Sequence, residues 1–264
     1  MTLRRLAVLL AALVATPAAA QQPAPLHLDL NIPALRLVVY EGDAVVRSYP
    51  VAVGMPGHNT PTGDFSIKVA EWNPSWQPPE RAWAKDEKRT PPGPNNPMGR
   101  VKLFFAPYYF VHGSPDDESI GSPESHGCVR MHNRDAIALA RLLHSRAAPQ
   151  VSSADIDRIL SHYRDTRRVD FRTPIPIHIH YDPVVVADGT IHVYPDIYHY
   201  HAIHSEAVYQ ALIAAGYDVR LVKSADVNRL VDRARGSRTP IALSVQDAFG
   251  SAVAASEGSD RPRA

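Results

Sequence analysis

The stretch "LHLDLNIPALRLVVYEGDAVVRSYPVAVG", residues 26–54, alternates apolar and polar side chains and is interrupted by "EGDAV" between two β-branched runs. A period of two is the signature of a half-buried strand, because successive side chains leave a strand on opposite faces. The Gly-Asp interruption supplies a turn, so the segment predicts a hairpin. Outward from it, "TPTGDFSIKVA" (60–70) predicts a further strand, and "VKLFFAPYYFVHG" (101–113) two more, broken at Pro107. Closely spaced strands and turns predict a mainly β sandwich-like or barrel-like domain over 26–150, with only a few helices.

Between those strands lies "EWNPSWQPPERAWAKDEKRTPPGPNNPMGR" (71–100), which is laden with proline and has no period. A loop this long inside a compact domain usually serves as a lid or binding loop. The presence of Trp72, Trp76 and Trp83 argues that it packs over a cleft. Beyond residue 132, "NRDAIALARLLHSR" has helical spacing with Asn133 at its expected N-cap, and "SSADIDRILSHYRDT" predicts a second helix. Residues 151–204 read as a strand-rich extension packed on that domain, with a hairpin turned by Asp188 and Gly189. Residues 205–250 read as a small α/β region of unassigned role, and 251–264 as a disordered tail.

The chemistry concentrates in "YYFVHGSPDDESIGSPESHGCVRMHN" (108–133), which holds Cys128, the only cysteine of the chain. A lone thiol cannot form an internal disulfide. It attacks only as thiolate, and with a reference pKa of about 8.5 it needs a base or a positive field to ionise at neutral pH. His126 stands two residues before it, and His112 ends a predicted strand. Gly127 lets a substrate approach the backbone closely, so the Gly127 and Cys128 N–H groups are candidate oxyanion donors. Arg130 offers a cationic fork for a carboxylate, or a structural ion pair.

"HG" at 112–113 followed by "SHGCVRM" at 125–131 resembles the active-site signature of the L,D-transpeptidase catalytic domain, the YkuD family. "TPTGDFSI", "NPSWQPP", "PGPNNPMGR" and "NRDAIALARLL" are similar to that family in the same order, and 165–198 is similar to a strand-rich extension of some larger members. The resemblance implies that Cys128 is the nucleophile and His112 its base, oriented by the Gly113 carbonyl. It implies that Ser125, His126 and Gly127 shape the oxyanion pocket, and that Arg130 holds the site or a donor carboxylate. The implied reaction takes a peptidoglycan tetrapeptide stem, expels terminal D-alanine and passes the acyl group to an amine, giving a 3→3 crosslink. An outer-membrane protein, a D-amino acid or water are alternative acceptors, and a silent wall-binding module is the non-enzyme alternative. No cofactor or metal is implied.

The remaining features set the compartment and exclude other classes. Arg4 and Arg5, the apolar run "LAVLLAALVA" and small residues at Ala18 and Ala20 read as a signal peptide over 1–20, which predicts a periplasmic protein without stable membrane insertion. The chain carries 28 basic and 27 acidic residues, and 26 against 27 without Arg4 and Arg5, which gives no basic excess for nucleic acid. His112, His126, Cys128 and His132 lack a familiar zinc spacing. His178, His180, His199, His201 and His204 read as half-exposed polar positions, and Tyr181, Asp196 and Tyr198 as packing residues.

Overall fold

The computed structural model describes residues 24–250, so the segments read as a signal peptide and a disordered tail lie outside the described residues. The expected hairpin is present. β1 (Leu26–Asn31) pairs antiparallel with β2 (Arg36–Glu41), and β2 with β3 (Ala44–Pro50) across the Gly42 turn. Leu26, Leu28 and Leu30 point inward and are at most 3% exposed, each worth about 2 kcal/mol of burial. A short β4 (Val53–Gly54) precedes β5 (Gly63–Trp72), and the proline-rich segment follows. β6 (Val101–Ala106) and β7 (Tyr109–Ser114) are the two strands expected over 101–113, broken at Pro107, whose missing N–H suits a break, and they pair antiparallel as a hairpin.

The signature residues lie between β8 (Pro123–Ser125) and β9 (Val129–His132), and β9 runs directly into α1 (Asn133–Ala147). The inward stripe of α1, Ala136, Leu139, Ala140 and Leu143, follows helical spacing and packs on β7, β10 and β6. α2 (Ser153–Ser161) opens with a capping box between Ser152 and Asp155. β10 (Arg167–His180) follows it.

β10 departs from the expected organisation. Residues 151–204, anticipated as an extension packed on the domain, supply a strand that lies inside the main sheet, parallel to β1 on one side and antiparallel to β5 on the other. The eight-stranded order is β3-β2-β1-β10-β5-β6-β7-β9. A register shift between Asp170 and Ile175 accommodates Pro174, which has no donor for the ladder. The two edges almost meet, because Ala52 and Arg130 exchange backbone hydrogen bonds of 2.9 Å each. This nearly closed, mainly β sheet encloses the first core.

Trp72 also departs from expectation. It ends β5 fully buried, and its Nε1 donates to His144 Nε2 at 3.1 Å, so it belongs to the core and not to the lid.

After β10, β11 (Val184–Ala187) and β12 (Thr190–Val193) form the expected hairpin, with Asp188 and Gly189 both at positive φ, as a type I′ turn demands. α3 (Ser205–Ala214), α4 (Ser224–Arg235), β13 (Ile241–Ser244) and α5 (Val245–Phe249) complete a second core. There β13 pairs with β12. No helix among the described residues is long and apolar enough to cross a membrane.

Candidate active site

β7 and β9 pair in parallel, with Val111 opposite Val129 and His112 opposite Arg130. That register sets the base candidate beside the entry to β9, where Cys128 ends the turn. The loop 115–122 therefore folds back, as its Gly, Ser, Pro and Asp content suggests. Asp116 N–H donates to Ser114 Oγ, and the Ser119 and Ser122 hydroxyls bond backbone carbonyls within the loop.

His112 is 1% exposed, and its Nδ1 lies 2.7 Å from the Gly113 carbonyl. A carbonyl only accepts, so Nδ1 carries the proton and Nε2 keeps its lone pair. Burial, reinforced by the charges of Arg130 and Lys102, lowers its pKa to about 4 against the opposing Gly113 hydrogen bond. The ring is a neutral acceptor at neutral pH. Gly113 is required sterically, since a Cβ there would sit 2.3 Å from Asn133 Oδ1.

Cys128 is half-buried, and its Sγ donates to the Tyr108 carbonyl at 3.7 Å rather than to His112. Burial raises its pKa to about 11, opposed by a hydrogen bond from the Phe110 backbone and by Arg130 and Lys102. The resting pair is therefore thiol and neutral imidazole. Tyr108, which supplies that carbonyl, is held at φ 67 and is 71% exposed.

The turn before the cysteine is held by Ser125. Its Oγ donates to the Cys128 carbonyl at 2.5 Å and accepts from the Gly127 N–H at 3.0 Å. The Gly127 N–H is thus engaged, contrary to its expected availability as an oxyanion donor, while the Cys128 N–H has no acceptor among the described residues. Gly127 itself has φ 107, and a Cβ there would lie 2.7 Å from the Tyr109 ring. Glycine is required on both counts.

His126 is engaged by rings and not by a hydrogen bond to the sulfur. Its ring stacks on Trp83 of the long loop at 3.8 Å and meets His58 edge-on at 4.6 Å. Burial, then His58 and Arg130, hold its pKa below the usual imidazole range. Arg130 is half-buried, lends its charge to His112, His126 and Cys128 alike, and is paired with no carboxylate among the described residues. His132 is drawn away from the site by Asp117 Oδ1 at 2.7 Å.

Sequence reasoning passed over His58, Tyr108 and Lys102. The only local signal at His58 was its place in the Gly/Pro-rich "GMPGHNTPTG", while Lys102 is recognisable only through its pairing opposite His112. His178 and His180 lie elsewhere, bonded to Asp64 and to Asp29 and Asp182.

A family model described as the L,D-transpeptidase catalytic domain, YkuD, matches residues 25–186. The Bacillus licheniformis protein YkuD, named among L,D-transpeptidases, is 34% identical over 122 residues, covering 46% of this chain and 61% of that protein. The Escherichia coli protein ErfK/SrfK, also named among them, is 30% identical over 115 residues, covering 40% of this chain and 37% of that protein. The chain thus spans less than two thirds of these relatives' length. Among solved structures, an L,D-transpeptidase from Mycobacterium smegmatis superposes with a TM-score of 0.38 at 17% identity, covering 60% of this chain and 59% of that one. The catalytic domain of the E. faecium L,D-transpeptidase gives 0.39 at 13%, covering 58% and 95%.

Proposed function

The chain belongs to the L,D-transpeptidase catalytic domain (YkuD) family, and from that premise we propose that it is a cysteine acyltransferase acting on peptidoglycan stems in the periplasm. Cys128 Sγ attacks the carbonyl of the L-centre of the third stem residue. Its proton passes to His112 Nε2 and then to the departing nitrogen of terminal D-alanine, leaving a thioester on Cys128. The amine of a second stem attacks that thioester, His112 accepts its proton, and the thiol returns as a 3→3 crosslink forms.

The oxyanion of each tetrahedral intermediate sits against the Cys128 N–H, a donor of a kind worth about 3 kcal/mol where measured. Gly127 and Ser125 shape that turn, and His126 walls it. Arg130, unpaired and beside both reacting groups, receives the donor carboxylate. In the resting state the thiol rests on the Tyr108 carbonyl, so attack requires a rotation of the cysteine side chain toward Nε2. A transient proton transfer during attack, and not a standing ion pair, suits a thiol with a pKa near 11 beside an imidazole with a pKa near 4.

The observation that supports this reading most is the 2.7 Å contact of His112 Nδ1 with the Gly113 carbonyl, which leaves the Nε2 lone pair available on the strand that pairs with β9, directly after Cys128. The test is incubation of the purified protein with a disaccharide-tetrapeptide, followed by mass analysis. A dimer lacking one D-alanine supports transfer to a stem amine. A tripeptide product makes water the acceptor, and an untouched substrate in the presence of an alkylatable Cys128 overturns the reading.

A further inference from the structure

The segment Pro195–Ile203 lies beyond the 25–186 region matched by the family and has an unusual backbone. His199 and His201 both hold φ 56, a left-handed conformation that non-glycine residues seldom adopt. One carboxylate maintains it. Asp196 Oδ1 accepts from Tyr200 N–H at 3.1 Å and from the Tyr181 hydroxyl at 2.6 Å, and its Oδ2 accepts from Ala202 N–H at 3.1 Å. The Tyr181 hydroxyl in turn accepts from Tyr198 N–H at 2.9 Å.

The outcome of this strained loop is two phenols delivered to adjacent residues, Asn59 and Thr60. The Tyr198 hydroxyl accepts from Thr60 N–H at 3.0 Å, and the Tyr200 hydroxyl from Asn59 Nδ2 at 2.6 Å. Tyr200 is 54% exposed, its ring packs against Tyr181 at 4.9 Å and Tyr198 at 5.6 Å, and its hydroxyl contact ties that aromatic group to Asn59.

Asn59 and Thr60 end a tight loop whose other side is the wall of the cysteine turn. The His58 and Asn59 carbonyls both lie 3.4 Å from where a Cβ on Gly127 would be, and the His58 ring meets His126. Met55 N–H donates to the Ser125 carbonyl at 2.9 Å, and Gly54 N–H to Thr60 Oγ1 at 2.9 Å. The 54–60 loop is thus tied at Gly54 and Met55 to the Ser125 strand, and its Asn59–Thr60 end is held by the two tyrosines.

We infer that Tyr198 and Tyr200 are positioning residues for the Cys128 site, acting through the 54–60 loop to keep the Gly127 turn closed, so that residues beyond the matched region complete the site. This rests on the reading of Cys128 as the nucleophile. Neither tyrosine touches the reacting atoms. Their effect is to hold a wall that excludes water from the sulfur, and losing one such hydrogen bond is a threefold to tenfold effect.

The test measures the pH profile of Cys128 alkylation by iodoacetamide on the full chain, which needs no peptidoglycan substrate. In Tyr198→Phe, Tyr200→Phe and Asn59→Ala, a loosened wall lets water reach the sulfur, so the profile moves to lower pH. Turnover of disaccharide-tetrapeptide falls about threefold to tenfold, mainly in kcat. Because Tyr200 and Asn59 share one bond, the double variant is no worse than Asn59→Ala alone. Tyr217→Phe, a tyrosine packed on the second core, serves as control and leaves the profile in place. Profiles in the three variants that superimpose on the parent, or an equal shift in Tyr217→Phe, overturn the inference. A failure of turnover in the parent protein with the profile shifts intact sinks the proposed reaction and not this coupling.

Discussion

At the scale of single residues, the site is defined by where protons sit before substrate arrives. Burial pushes the Cys128 thiol up and the His112 imidazole down, so both are neutral over the physiological range. A thiol with a pKa near 11 ionises as pH rises, so alkylation of Cys128 should climb continuously from pH 6 to 10 with no plateau near neutrality. A thiolate–imidazolium pair would instead react at a constant rate from about pH 5 upward, and that result would contradict the resting state described here. His112→Ala should leave this climb in place while lowering peptide turnover about 100-fold or more, the range of a lost general base. The "HG" and "SHGCVRM" residues were legible in the sequence as a chemical set. Their proton positions were not, because burial of both groups and the charges of Arg130 and Lys102 beside them arise only in the folded sheet.

At the scale of elements, the β9–α1 junction shows how a sequence signal can be read correctly in kind and wrongly in partner. Asn133 looks like an N-cap, yet His132 occupies that position and Asn133 is the first helical residue. Its amide instead ties three elements: Oδ1 accepts from Arg100 N–H and Nδ2 donates to the Ser114 carbonyl, both at 2.9 Å. The close packing of Gly99 and Gly113 against the same oxygen explains why both are glycine. Asn133→Ala should leave those two backbone groups unpaired and cost about 1–2 kcal/mol, a fall in Tm of roughly 2–8 °C in thermal denaturation. An unchanged Tm would show that water replaces the amide without loss. The long loop was likewise legible as a packed segment, and its Trp83 stacks on His126. Trp72 was misassigned to it because local composition does not reveal that β5 runs two residues further into the core.

At the scale of the whole molecule, three histidines set the pH range of stability. His144 is buried in the first core, where Nε2 accepts from Trp72 and Nδ1 has no partner, and burial lowers its pKa to about 4, as for His112. Both rings are neutral when folded and take up protons at 6.5 when unfolded, so the unfolded chain binds more protons between pH 6.5 and 4 and stability falls as pH drops through that window. The loss is about 1–3 kcal/mol per ring. His180 has the opposite sign. Although burial disfavours its charge, Asp182 and Asp29 bond both ring nitrogens and raise its pKa to about 9. Its contribution is complete below pH 6.5 and is lost as pH rises through 9. Urea midpoints should therefore peak near pH 6.5, with the acid limb shallower in His144→Gln and the alkaline limb shallower in His180→Gln. A flat profile across pH 5–9 would refute the assignment.

The alternation of residues 26–54, the two strands of 101–113, the Asp188-Gly189 hairpin and the cysteine signature are local in sequence. Period, turn chemistry and motif spacing were enough to determine them. The place of β10 was beyond that reach. A parallel strand drawn in between β1 and β5 from more than a hundred residues away leaves no local trace, since its partners are chosen by sheet closure and shared core burial. The same long-range packing carried Tyr198 and Tyr200 to the loop that walls the cysteine turn. The chain alone thus singled out the candidate reactive groups, while their ionisation and enclosure followed from contacts that exist only once the strands are packed together.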